Sequence, residues 1–204
     1  LPAIKERYYS PAEYFELSAQ VEHRMEFEMG VIRNMGATSD VHSELMLNFA
    51  SALKTVVKGR GCKVYAETVS LEVSKNKKYY LPDVMLTCDK RDHQDRQMKR
   101  YPSLVAEVVS PGSINRDREE KFQAYLKLPS LQYYLLISQE QVRIEVFSRS
   151  KGKNWQFNYY EDLADEISLP LVDIKLSVKD IYDEAELIPP TVFEESEGQD
   201  SPEK

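Results

Sequence analysis

Residues 79 to 86 read YYLPDVML, an apolar strand with Pro82 and Asp83 set into its middle. Further on, SLVAEVVSP (103–111) repeats the oddity, with Glu107 interrupting another apolar run. Near-continuous apolar strands of this kind are those covered on both faces, at the centre of a sheet. An ionised carboxylate there is strongly unfavourable unless it is paired, hydrogen-bonded or bound to a metal. The period of two places Glu107 on the face of Val105 and Val109, opposite Leu104, Ala106 and Val108, and no base shares its strand. If Asp83 lies beside it on a neighbouring strand, the two acids repel unless one is protonated or a cation sits between them. Mg²⁺ suits that position, since it takes one or two protein carboxylates and fills its other positions with water and phosphate oxygens. The chemistry this suggests is phosphodiester hydrolysis, with Lys121, on the helix after the Glu107 strand, returning toward the site.

The flanking sequence supplies a mixed α/β frame. SPAEYFELSAQ (10–20) begins with Ser10 as N-cap, Pro11 at the first helical position and Glu13 at capping-box spacing. HRMEFEMGVIRNM (23–35) alternates around Gly30 as a hairpin does. From 39 to 59, Val41, Leu45, Phe49, Leu53 and Val56 recur at helical spacing between a Ser39 or Asp40 cap and Gly59. VYAETVSLEV (64–73) reads as one strand, and RDREEKFQAYLKL (116–128) as a second long helix ending before Pro129. QYYLLI, VRIEVF and WQFNYY (132–137, 142–147, 155–160) read as three antiparallel strands because their connections are short, and 166–183 closes the domain.

At 204 residues with 42% hydrophobic and 30% charged, the chain is expected to form one domain over 1–190 with an acidic disordered tail at 191–204. The net charge of −7 is concentrated at the C-terminal end: removing the eight acids and one lysine from Asp183 onward takes 34 acids to 26 and 27 bases to 26. The neutral body carries locally basic stretches at 75–78 and 90–100, which leaves room for a phosphate-binding face. No apolar run approaches the roughly 20 residues of a membrane span. Cys62 and Cys88, 26 apart, form no paired metal motif, and both are expected to be reduced in a cytoplasmic protein. There is no Gly-rich phosphate loop, serine elbow, paired-histidine motif, helix-turn-helix or zinc finger, so the target sequence is not legible.

The ordered series RMEFEMGVI, SDVHSEL, YLPDVML, PSLVAEVVSPGS, RDREEKFQAYLKLPSLQYYLLI and ISLPLVDIKLSVKDIY resembles the Uma-type restriction endonucleases of the PD-(D/E)XK nuclease superfamily, over about Tyr8 to Tyr182. The resemblance implies a restriction-endonuclease-like fold, a mixed central β-sheet flanked by helices. It implies a nuclease acting on DNA with Mg²⁺ or Mn²⁺. It makes Asp83 and Glu107 metal ligands, Glu26 a third acid of the metal shell, Lys121 the catalytic lysine and His42 a site histidine at the start of the long helix. Two positions depart from the pattern: Val109 stands where a lysine is expected, a function the family moves to the next helix, and Val31 replaces an acid after the hairpin turn. Those departures favour the alternative, a nuclease-derived module that holds DNA or a protein without cutting. A homodimer would let two sites address both strands of a duplex.

Overall fold

The computed structural model describes residues 7–20, 24–67, 69–110, 113–151 and 154–188. The acidic tail at 191–204 lies outside them. Helix α1 (Pro11–Gln20) opens with the expected capping box, Glu13 N donating to Ser10 Oγ at 3.2 Å and Ser10 N to Glu13 Oε2 at 2.7 Å. Strands β1 (Met25–Glu28) and β2 (Val31–Asn34) turn through Met29 and Gly30, both at positive φ, where glycine removes the penalty at one of the two positions. Helix α2 (Asp40–Val56) is capped by Ser39, whose hydroxyl accepts from His42 N at 3.1 Å.

The stretch read as one strand over 64–73 is two: β3 (Lys63–Ala66) and β4 (Ser70–Ser74), in different sheets. Glu67, at φ 55, breaks the extended run between them. The stretch around Pro82 and Asp83 is divided in the same way into β5 (Lys78–Tyr80) and β6 (Val84–Thr87), because proline cannot donate to a ladder. A short helix α3 (Lys90–Gln94) and β7 (Met98–Lys99) lead into β8 (Leu104–Val109). Then comes a continuous helical run of α4 (Ile114–Arg116), a π-helical turn (Asp117–Lys121) and α5 (Phe122–Tyr125). Strands β9 (Tyr133–Ser138), β10 (Ile144–Arg149) and β11 (Trp155–Tyr160) are antiparallel as expected, and β12 (Glu166–Leu169), β13 (Ile174–Ser177) and α6 (Val178–Ile181) follow.

The central sheet has six strands in the order β11-β10-β9-β8-β6-β3. Only β8 and β9 are parallel, because the helical run joins them as a crossover. One face packs on α2, the β12–β13 pair and α6 through Leu45, Phe49, Leu53, Val84, Ala106, Ile137 and Ile167. The other packs on the helical run through Met85, Val105, Tyr125 and Tyr134. A second sheet, β2-β1-β5-β4-β7, carries α1 on Tyr14, Phe27 and Tyr79. The α/β architecture read from the sequence is thus the observed one.

One expectation is corrected. Cys62 and Cys88 are joined by a disulfide rather than remaining free thiols. Lys63 pairs with Thr87 across the antiparallel β3–β6 ladder, so the two cysteines just beyond that pair face each other with Cα atoms 4.0 Å apart. The argument from free thiols to a reducing compartment therefore falls away. Among the described residues no helix is long and apolar enough to cross a membrane.

Candidate active site

Strand pairing brings the two strand acids together. Val84 on β6 pairs with Ala106 on β8, so Asp83, one step before Val84, stands opposite Glu107. Asp83 N lies 3.4 Å from Glu107 Oε2, and Val108 N donates to Asp83 Oδ2 at 2.8 Å. Both side chains line a cleft of about 390 Å³ at this end of the sheet, together with His42, Lys121, Arg116 and Gln139. Asp83 is 5% exposed and Glu107 2%.

The helical run supplies the positive charge. Its π turn places Asp117 and Lys121 on the inward face, and such turns recur at functional sites. Lys121 Nζ stands 3.0 Å from Glu107 Oε1, 3.3 Å from Glu26 Oε1 and 3.4 Å from Asp117 Oδ1. Its i,i+4 pair with Asp117 is thus a buried contact and not one on a solvated face. Burial opposes its charge, but Glu107, Glu26 and Asp117 together hold its pKa well above the ordinary lysine value. The three carboxylates thus favour the ammonium form of Lys121.

Tyr125, one turn further, donates to Glu107 Oε1 at 2.8 Å. Glu107 itself is pushed up to about 8, mainly by burial, with Lys121 opposing and the charges of Asp83, Asp117 and Glu26 reinforcing the rise.

Each strand acid thus has one oxygen firmly committed; the other, among the described residues, has no donor in Asp83 and a single long one in Glu107. Glu107 Oε1 takes Lys121 and Tyr125, leaving Oε2 with the long contact to Asp83 N. Asp83 Oδ2 takes Val108 N and His42 Nε2 at 3.2 Å, while Oδ1 has no hydrogen-bond donor among the described residues. Acceptors left open on adjacent carboxylates are the donor set a hard divalent cation uses.

Glu26, on β1, is fully buried but does not line the cleft. Its oxygens face Leu81 N at 3.2 Å, Lys121 and the Arg116 guanidinium. His42 sits in the first turn of α2 and reaches Asp83 because Ser39 caps that helix beside the cleft.

Residues 11–179 match the Uma2 family, described as "Putative restriction endonuclease". The chain belongs to the Uma2 family. It is 31% identical over 173 residues to "Uncharacterized protein slr1290" of Synechocystis sp. (strain ATCC 27184 / PCC 6803 / Kazusa), covering 85% of this chain and 90% of that protein. It is 30% identical over 146 residues to "Uncharacterized protein sll1609" of the same organism, covering 71% and 82%. The fold is similar to the crystal structure of "a putative nuclease belonging to DUF820" from Anabaena variabilis ATCC 29413, with a TM-score of 0.70 and 17% identity over 85% of this chain and 97% of that one.

In this Uma2 chain the geometry unites Asp83, Glu107, Lys121 and His42 at one cleft, with Glu26 contacting Lys121 from outside its lining. Sequence reasoning passed over Glu67. Its backbone N donates to Asp83 O at 3.0 Å, and ligand atoms of His42, Glu67 and Asp83 lie within 4.8 Å of one another. Read inside an unbroken strand, Glu67 gave no signal; the break at positive φ is what turns it toward Asp83. Arg24 pairs with it at 2.7 Å.

Proposed function

We propose that this Uma2 protein is a divalent-metal-dependent endonuclease that hydrolyses DNA phosphodiester bonds. The observation that carries this reading is the adjacent pair Asp83 and Glu107, each with one oxygen firmly held and the other free or only weakly engaged, beside the ammonium of Lys121. Asp83 and Glu107 would hold Mg²⁺ or Mn²⁺, with His42 and Glu67, whose ligand atoms lie within 4.8 Å of Asp83, as further donors. The bound ion supplies Lewis acidity toward a phosphate oxygen and a more acidic water.

The chain's own groups do the rest. Water adds to phosphorus, one P–O ester bond breaks and the leaving oxygen takes up a proton. Lys121, its pKa raised by the surrounding carboxylates, stabilises the developing negative charge and orients the water by donation. Its position beside Glu107 answers the absence of a lysine at Val109. Glu26, expected as a third ligand, serves in this reading as the counter-ion that holds Lys121 and Arg116 in place. A second copy of the chain would address the complementary strand of a duplex.

Plasmid nicking with and without Mg²⁺ or Mn²⁺ tests the proposal, alongside Asp83→Ala and Glu107→Ala. Cleavage that needs the metal and is lost in both variants supports it. DNA binding that survives both substitutions, with no cleavage by the parent protein, would overturn it in favour of a binding module.

A further inference from the structure

We infer that Arg116 forms a phosphate-oxygen subsite in the cleft, taking a non-bridging oxygen of the DNA strand and positioning it over the acids. The inference rests on the nuclease reading but concerns a residue that reading does not use for binding. Arg116 closes α4, five positions before Lys121, and lines the cleft together with Asp83, Glu107 and Lys121. One edge of its guanidinium is fixed by the bond from NH2 to Glu26 Oε2, and its central carbon lies 5.8 Å from the centre of the Tyr80 ring. Its Nε–H is buried without a hydrogen-bond acceptor. The Glu120 carboxylate is 3.7 Å away, beyond hydrogen-bond reach, and half exposed.

A buried donor left unmade is unfavourable, and it is relieved by an acceptor that arrives with a ligand. The cations of this cleft are not equivalent in that respect. Lys121 is enclosed by three carboxylates, and Arg24 is paired with Glu67 at 2.7 Å. Of the three, Arg116 combines a fixed edge with an Nε–H that has no hydrogen-bond acceptor among the described residues. A guanidinium held at one N–H and lacking an acceptor at another can take two oxygens of one phosphate side by side, which a lysine ammonium does not. The positive charge also offsets the repulsion between a phosphodiester and the acids at the cleft floor.

The experiment measures equilibrium binding of a labelled DNA duplex by the full chain in the non-cleaving Asp83→Asn background with Mn²⁺ present, over a range of salt concentrations. Adding Arg116→Gln is expected to weaken binding about tenfold and to reduce the slope of log affinity against log salt by about 0.9, the loss of one phosphate contact. Adding Arg116→Lys, which keeps a charge for Glu26, is expected to preserve the slope and still weaken binding several-fold. Unchanged affinity and slope in Arg116→Gln would overturn the inference. Should that variant fail to fold, Arg116→Lys decides: affinity equal to the parent overturns the inference, and a several-fold loss supports it. A parent that cuts DNA and binds it no better than Arg116→Gln does would sink this inference alone. A parent that neither binds nor cuts DNA would sink the nuclease reading and this inference with it.

Discussion

Two buried acid clusters lie on or beside the central sheet, and they differ in how completely their oxygens are filled. Asp92 on α3 accepts from Arg100 N at 2.7 Å and from Tyr101 N and the Thr87 hydroxyl, both at 2.9 Å. The Lys99 ammonium closes the same cluster by donating to Asp92 O at 2.8 Å. Every oxygen of Asp92 is used, and the cluster binds the 88–101 connection to the end of β6. Asp83 and Glu107 are as deeply buried, yet Asp83 Oδ1 has no donor among the described residues and Glu107 Oε2 has only the 3.4 Å contact from Asp83 N. Burial of an acid marks a structural requirement; an open oxygen beside it marks a place for something else to bind. A lysine stands in both clusters, but Lys99 meets a backbone carbonyl of Asp92 where Lys121 meets carboxylates.

Breaking each cluster should therefore produce opposite signatures. Asp83→Ala is expected to abolish metal-dependent nicking, a loss of at least about 10⁴-fold, while the protein still folds, as read by circular dichroism. Lys121→Met should lower the cleavage rate by about 10³-fold, the size associated with losing a charged transition-state donor, with metal binding retained in a Mn²⁺ titration. Asp92→Ala should do the reverse, lowering unfolding free energy by about 3 kcal/mol in urea melts because three donors lose their acceptor, and leaving the rate per folded molecule unchanged. If Asp92→Ala instead removed activity without loss of stability, the contrast between the clusters would collapse.

One half of this contrast, the pair Asp83 and Glu107, was legible in the sequence; the Asp92 cluster was not, since 90–100 reads there only as a locally basic stretch. The strand alternation placed Glu107 on the face of Val105 and Val109, and there it meets Lys121 and Tyr125. The capping box at Ser10 and the helix over 39–59 were local signals, and local signals survive folding. Long-range pairings left no such trace. Cys62 and Cys88 meet because the β3–β6 ladder aligns Lys63 with Thr87, and nothing in a spacing of 26 residues announces that register. Glu67 was hidden inside VYAETVSLEV because the alternation continues across a residue that has in fact left the strand. Glu26 was placed correctly on a hairpin, but its burial behind Lys121 and Arg116 depends on β1 pairing with β5, another sheet partner that sequence alone does not name.

The smallest expected effect sharpens the comparison within the cleft itself. Glu67→Gln should weaken Mn²⁺ binding about tenfold, the scale of a donor at the edge of a metal site, while leaving the melt nearly unaltered. Equal weakening by a substitution at Glu145, whose carboxylate is held by Arg118 and Arg143 away from the cleft, would show that the effect is general electrostatics and not ligation.

In the proposed reading, Asp83 Oδ1 and Glu107 Oε2 share one divalent cation. Crystals soaked in Mn²⁺ and measured for anomalous scattering test it most directly. The account predicts a peak about 2.2 Å from both Asp83 Oδ1 and Glu107 Oε2. A soak that leaves these two acids without a peak, or places the ion among residues outside the cleft, would contradict it.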